Sequence, residues 1–174
     1  MRRLGAILIL VTVFEILACG DRKGRNYNND ALADNAKVFV ETAHEAGLAE
    51  IQLSQLALKQ SKDTSITSMA KRIIADHTDA DAQLKKIASE AKINLSDTLT
   101  AIHTEALNSL KTKSDTAFDK AYSQVMVNDH EKAIKLFTAA IESTGGDVQN
   151  FAKATLPKLQ SHFKVADSIC KDMK

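Results

Sequence analysis

The sequence has few of the residues that interrupt a helix. Among its 174 residues there are six glycines, one proline and no tryptophan, and aromatic residues make up only 5%. Alanine, leucine, isoleucine, lysine and acidic residues dominate instead, and most of these are good helix formers. Few breakers and many helix formers predict an all-α protein, and the length fits one domain with a targeting segment.

An excess of charge of one sign is also missing. The 23 basic and 22 acidic residues are well mixed and give a formal net charge of +1. Surfaces that bind nucleic acid, and polybasic membrane patches, need a local excess of basic residues. We therefore expect no nucleic-acid partner. The chain also has no Ser-His-Asp order, phosphate-binding loop or CxxC motif, so no catalytic residue is assigned.

The N-terminal apolar run is not expected to belong to the fold. Arg2 and Arg3 precede apolar residues 4–14, and the stretch ILAC follows at residues 16–19. These features are typical of a secretory signal, and the run is too short for a stable membrane span. ILAC resembles a bacterial lipobox, which predicts that residues 1–19 are a lipoprotein signal ending at a lipidated Cys19. A plain signal peptide is the alternative.

Lipid on Cys19 would attach the protein to a membrane of the bacterial cell envelope. Gly20, rather than aspartate, follows Cys19, which permits passage to the outer membrane, facing the periplasm, under the enteric sorting rule. Cys170 would then have no partner for an internal disulfide and is expected to be a small buried hydrophobe. Polar residues 20–30 predict a flexible tether, and residues 31–174 the folded domain.

The apolar residues have helical spacing from residue 31 onwards. The spacing predicts long helices at residues 31–61, 63–92 and 115–143 and a fourth from residue 147, with a short helix begun by Ser96 or Asp97. Two tight turns and one long connection predict a ferritin-like four-helix bundle, with the short extra helix in the crossover between the second and third long helices. Pro157 is expected to kink the last helix.

One polar residue interrupts the apolar seam of each long helix. These residues are Glu50, His77, His130 and His162. All four fall near the middle of their helices, so the helix rise predicts that they meet inside the bundle. Three imidazoles and a carboxylate in a dry core are suitable ligands for Zn, Fe, Mn or Cu, and these four residues are the candidate metal ligands.

Four neighbouring residues are candidates for a supporting role. Asp76 and Asp129 each precede a histidine by one residue, about 100° around the helix, and would either support the site or face solvent. Tyr122 and Met126 precede His130 by two turns and one turn, and the Met126 thioether would be a suitable ligand for copper.

The other two histidines fit the site less well. Glu41 and His44 have the spacing of a di-iron ligand pair, but the pair occurs once and lies about 9 Å from Glu50 by helix rise. Both are expected at the surface. His103 borders the apolar face of the short helix and is expected to be half-buried.

A silent polar network is the alternative to a metal site. Buried glutamate and histidine side chains can satisfy one another and fix the register of a bundle without metal. Each of the four groups costs about 1–3 kcal/mol if it is left unsatisfied, so they need either one another or a ligand. The pattern alone leaves both alternatives open.

Four segments resemble a known family. They are FVETAHEAGLAEIQLSQLA, MAKRIIADHTDA, FDKAYSQVMVNDHEKAIKLF and FAKATLPKLQSHFKVA. Together they resemble a bacterial envelope family catalogued as domain of unknown function 4142 and grouped with ferritin-like folds. The resemblance implies a lipoprotein or secreted four-helix bundle and no established activity. Ferritins use several glutamates with two Glu-x-x-His pairs, so this His-rich set does not predict ferroxidase activity or iron storage.

These patterns predict a lipid-anchored envelope protein that binds a metal ion or small ligand at the middle of its bundle. The alternative is a non-catalytic structural or protein-interaction bundle, and a metal-dependent redox enzyme comes third. An enzyme is the less favoured class, and no feature identifies a protein partner.

Overall fold

Five α-helices make up the part of the chain that the structure describes. The computed structural model describes the backbone of residues 27–173 and the side chains of residues 31–173. The helices, in chain order, are α1 (Tyr27–Gln60), α2 (Thr64–Ala91), α3 (Ala101–Lys111), α4 (Asp115–Ser143) and α5 (Gly146–Asp172). No strand occurs within residues 27–173, which confirms the all-α prediction. The predicted signal and Cys19 lie outside the described residues.

Local contacts and backbone conformation mark the two ends of α2. The Asp63 side chain accepts hydrogen bonds from the backbone N–H groups of Ser65 and Ile66, at 2.7 and 3.3 Å, and so caps α2. At the other end of α2, Lys92 has a left-handed φ of 58°. α1 begins at Tyr27, so residues 27–30 of the predicted tether are instead its first turn.

The short helix starts later than predicted. Thr100, rather than Ser96 or Asp97, is its N-cap, and its side chain accepts from the backbone N–H of His103 at 3.4 Å. Ser96 accepts from the N–H of Thr98 at 3.2 Å and so stabilises a turn before the helix.

The four long helices form a bundle with two hairpins. α1 pairs with α2 and α4 with α5, while α1 also packs on α4 and α2 on α5. One end of the core contains Leu53, Ile66, Phe118 and Ile169, and the other contains Phe39, Leu84, Phe137 and Phe151. The order of these residues shows that α1 and α5 run in one direction and α2 and α4 in the opposite one. The connection containing α3 therefore travels the length of the bundle.

Two further features of the helices are the position of Pro157 and their hydropathy. α5 continues from Gly146 to Asp172 through Pro157, whose ring is exposed. Among the helices of residues 27–173, none combines the length and the apolar character needed to cross a membrane.

Candidate metal centre

The four polar residues of the helix seams meet at mid-height in the bundle. Glu50 lies on α1, His77 on α2, His130 on α4 and His162 on α5, and all four are buried. They lie between the two apolar ends of the core. The structure therefore brings together one polar residue from each long helix, as the helix rise predicted.

The three histidines form a compact group. Their ring centroids are 5.2, 5.6 and 5.7 Å apart, and one ring nitrogen of each lies within 4.8 Å of the others. Glu50 lies beside this group. Its Oε2 is 2.7 Å from Nε2 of His77, and its Oε1 is 3.5 Å from Nδ1 of His130.

The ring of His130 is held by its own helix. Its Nδ1 is 2.9 Å from the backbone carbonyl oxygen of Met126, one turn earlier, so Nδ1 carries the hydrogen and donates it. Nε2 of the same ring is buried and has no hydrogen-bond partner. An imidazole fixed in this way offers a bare nitrogen to the centre of the bundle, as a metal ligand would.

The ring of His162 is held by a carboxylate on the neighbouring helix. Its Nε2 is 2.8 Å from Oδ2 of Asp76, and its buried Nδ1 has no partner. Asp76 is partly exposed, and its Oδ1 is 3.1 Å from the Lys158 ammonium group. The predicted supporting role of Asp76 therefore corresponds to an observed contact, of the type that orients histidine ligands in metal sites.

His77 and Glu50 make a close but poorly directed contact. Their Nε2 and Oε2 atoms are 2.7 Å apart, yet neither atom has a partner that meets hydrogen-bond geometry. Gly47, one turn before Glu50, faces the other side of the His77 ring, where a Cβ would lie 3.6 Å from Nδ1. The pair is held together by charge and packing more than by a well-formed hydrogen bond.

Burial and charge shift the pKa values in different directions. Burial alone would raise the pKa of Glu50, but the charges of His130 and His77 outweigh it and lower the pKa to about 2. Burial would likewise lower the pKa of His77, but the Glu50 carboxylate reverses this and raises it. Burial and the neighbouring histidines lower the pKa of His162 to about 4, although Asp76 opposes them. At neutral pH the centre therefore holds an ionised carboxylate and a neutral His162.

These donor atoms fit a transition-metal ion. Nε2 of His130 and Nδ1 of His162 are buried and without partners, and Nε2 of His77 lies against the Glu50 carboxylate. A tetrahedral shell with metal–nitrogen distances of 2.0–2.1 Å places its ligands about 3.3 Å apart. One ring nitrogen of each histidine lies within 4.8 Å of the others, near enough for the three rings to share one metal ion. The negative charge of Glu50 would offset part of a cation's charge.

The other predicted supporting residues lie around the centre without joining it. Asp129 is buried, but its carboxylate is 3.1 Å from the Lys132 ammonium group and 3.9 Å from Nε2 of His103, away from the central histidines. Tyr122 is buried and its hydroxyl is 2.8 Å from that of Ser54. Burial raises the pKa of Tyr122, so it stays neutral. Met126 contributes its backbone carbonyl oxygen, which accepts the hydrogen bond from Nδ1 of His130.

The prediction that His44 lies at the surface is wrong. His44 is 1% exposed, and its Nδ1 is 2.6 Å from Oδ1 of Asp81, which explains how it is tolerated inside the bundle. Asp81 follows His77 by four residues and so lies on the same face of its helix. This spacing is the sequence feature that could have predicted a buried partner for His44. His103 is half-buried as predicted, and its Nδ1 is 2.8 Å from Oε1 of Glu45.

This protein is therefore an all-α helical bundle with a buried group of three histidines and one carboxylate. The chain belongs to the family described as domain of unknown function (DUF4142), whose model matches residues 23–169. This confirms the resemblance carried by the four sequence segments. No curated protein matches the sequence significantly.

Two solved structures have a similar fold. The crystal structure of a DUF305 fragment from Deinococcus radiodurans superimposes with a TM-score of 0.72 at 12% identity, covering 79% of this chain and 96% of that one. The structure of CopM in the Cu(II)-bound form gives a TM-score of 0.70 at 15% identity, covering 80% of this chain and 97% of that one. At these identities the similarity shows the helical-bundle fold alone.

Proposed function

We propose that this protein binds one transition-metal ion at His77, His130 and His162, with Glu50 as a fourth ligand or a charge partner. The observation that carries the proposal is the set of bare nitrogens. His130 and His162 each use one ring nitrogen to bind a partner and leave the other buried and unpaired, and one nitrogen of each of the three histidines lies within 4.8 Å of the others. An unpaired buried polar atom costs about 1–3 kcal/mol, and a metal ion would relieve two of them together.

The donor set narrows the choice of metal. Imidazole nitrogens are common ligands of Cu, Zn and Fe and less common ligands of Mn, whereas Mg and Ca prefer shells of oxygen. CopM, a bundle with a similar fold, has been solved with Cu(II) bound, so copper is the first metal to test. We further propose that the bundle is ferritin-like, because the parallel directions of α2 and α4 and the long crossover support that arrangement.

The test is metal stoichiometry and affinity of the purified protein. We expect about one equivalent of copper or zinc, and affinity about tenfold or more weaker in His77→Gln, His130→Gln or His162→Gln. His103→Gln is the matched control, because it removes an imidazole that contacts Glu45 and not the central histidines. Equal affinity in all four variants, or no metal bound by any, would contradict the proposal.

A silent polar network remains the second candidate, because one contact favours it. The close approach of Glu50 and His77, with opposite pKa shifts, describes an ion pair that needs no metal. In that case the centre would fix the register of the four helices. A metal-dependent redox enzyme is the third candidate. The cavity beside Glu50 and His77 has a volume of about 30 Å³, but a surface groove that includes His162 has a volume of about 430 Å³, within the range of about 300–1,000 Å³ of typical ligand pockets. This groove is the observation that favours the third candidate.

We propose that Cys19 carries lipid and holds the protein in the cell envelope, in the outer membrane and facing the periplasm. The ILAC stretch and Gly20 support this. Two or more acyl chains bind a membrane stably, since each buried CH₂ contributes about 0.8 kcal/mol. The wild-type chain should sediment with outer membranes and Cys19→Ser should remain in the soluble fraction. A fully soluble wild-type chain would contradict the lipid anchor.

A further inference from the structure

A small space adjoins the histidine centre on the side of Glu50 and His77. Its volume is about 30 Å³. By the same measure one water molecule needs about 10–15 Å³, so the space has room for about two waters or one molecule with two heavy atoms. It lies at the boundary between the centre and the apolar end of the core that contains Phe137.

The walls of this cavity are mainly apolar. Leu84, Phe137, Phe151 and Leu159 contribute much of the lining, and alanines fill most of the remainder. The polar residues of the lining are His44, Glu50, His77, Asp81 and Thr155, and His44 contacts Asp81. Apolar walls of this kind suit small apolar guests.

A second, smaller space adjoins this cavity. Its volume is about 10 Å³, and it shares His77, Ala80, Thr155 and Leu159 with the larger cavity. Its outer border is formed by the partly exposed Asp76 and Lys158. Small side-chain movements at that border would let a small molecule reach the cavity.

We propose that the metal-loaded centre binds a neutral molecule of two heavy atoms, the size of dioxygen or carbon monoxide, in this cavity. The inference rests on the proposed function, because the metal supplies the bond that holds the guest. The mainly apolar walls favour a neutral guest. The volume excludes anything much larger.

The first arm of the test examines the cavity alone, without metal. Xenon is an apolar probe of suitable size, and its binding to the purified protein can be followed by nuclear magnetic resonance. Ala80→Leu should reduce xenon binding by about tenfold or more, because the larger side chain occupies the shared wall. Ala121→Leu, at another half-buried helix alanine outside the cavity, is the matched control. If wild-type protein takes up no xenon, the cavity is not a dry apolar site and the proposal is overturned.

The second arm uses the copper-loaded protein, reduced to Cu(I) and exposed to carbon monoxide, with copper content measured on the same sample. We expect one C–O stretching band in the infrared, weakened in Ala80→Leu and unchanged in Ala121→Leu. Copper bound without a carbon monoxide band would overturn this inference and leave the metal proposal standing. A protein that holds no copper would refute the proposed function, and with it this inference.

Discussion

At the scale of single residues, the three central histidines differ through the partners that hold them. A backbone carbonyl fixes His130, a partly exposed carboxylate fixes His162, and a buried carboxylate faces His77. These partners decide which nitrogen carries hydrogen and which is bare, because a neutral imidazole has one donor and one acceptor. The sequence predicted the four inward residues from helical spacing. It did not predict their tautomers, which depend on contacts between helices.

The two Asp-His doublets offer a residue-scale prediction. Asp76 contacts His162, whereas Asp129 contacts Lys132 and lies away from the central histidines. Asp76→Asn should therefore weaken copper or zinc binding by about 10–100-fold, the usual effect of losing a carboxylate that orients a histidine ligand. Asp129→Asn should bind as the wild type does. Isothermal titration of both variants checks this, and equal affinities would count against the role of Asp76.

Stability of the metal-free protein should depend on pH through His162. Its folded pKa of about 4 lies below the ordinary value of 6.5, so the unfolded chain takes up the proton first as the pH falls. The contribution of neutral His162 is complete above pH about 6.5 and is lost progressively down to pH about 4. The raised pKa of His77 acts in the opposite direction, so the His162 effect must be isolated by a variant.

The comparison of wild type with His162→Asn isolates it. Between pH 7.5 and 5, the free energy of unfolding should fall by about 2 kcal/mol more in the wild type than in the variant. Denaturant unfolding in EDTA measures both slopes, with His103→Asn as the control that should follow the wild type. Parallel curves for wild type and His162→Asn would show that the His162 proton does not contribute.

At the scale of helices, the sequence predicted most of the architecture. The bounds predicted for α4, residues 115–143, agree with the structure, because Asp115 and the glycines after Ser143 mark both ends clearly. The start of α3 was missed because Ser96, Asp97 and Thr100 are all good N-caps. Contacts with Glu45 decide among them, since its Oε1 accepts the backbone N–H of Thr100 at 2.7 Å. Local sequence patterns do not predict such a long-range contact.

The turn between α4 and α5 gives an element-scale prediction. Gly146 has a left-handed φ of 57°, whereas Gly145 has an extended φ of −141° that any residue adopts. A Cβ at either glycine would meet nothing within 4 Å, so only the backbone conformation distinguishes them. Gly146→Ala should lower the free energy of unfolding by about 1–2 kcal/mol, and Gly145→Ala should change it by less than about 0.5 kcal/mol. Equal effects in denaturant unfolding would contradict this assignment.

At the scale of the whole molecule, the polar centre separates two apolar cores. Each core draws on all four long helices, so the centre lies where the register of every helix is fixed. The height of the centre followed from helix lengths near 30 residues, which the sequence supplied. The cavity beside the centre could not be predicted from the sequence, since its volume depends on how Phe137, Phe151 and Leu84 pack against small residues.

Melting experiments separate the metal site from the silent network for the molecule as a whole. A ligand that binds only the folded state at 100 times its Kd adds about 2.7 kcal/mol of stability, which corresponds to a rise in Tm of about 5–10 °C for a domain of this size. At pH 7.5 we expect this rise with copper or zinc in the wild type and in His103→Gln, and its loss in His130→Gln. The comparison uses the metal-induced change in Tm, so that any intrinsic destabilisation of His130→Gln cancels. His130 decides the question because its bare Nε2 contacts neither Glu50 nor any other hydrogen-bond partner. An unchanged Tm in the wild type would mean that the Glu50–His77 pair already satisfies the centre, and that the four residues serve only to align the helices.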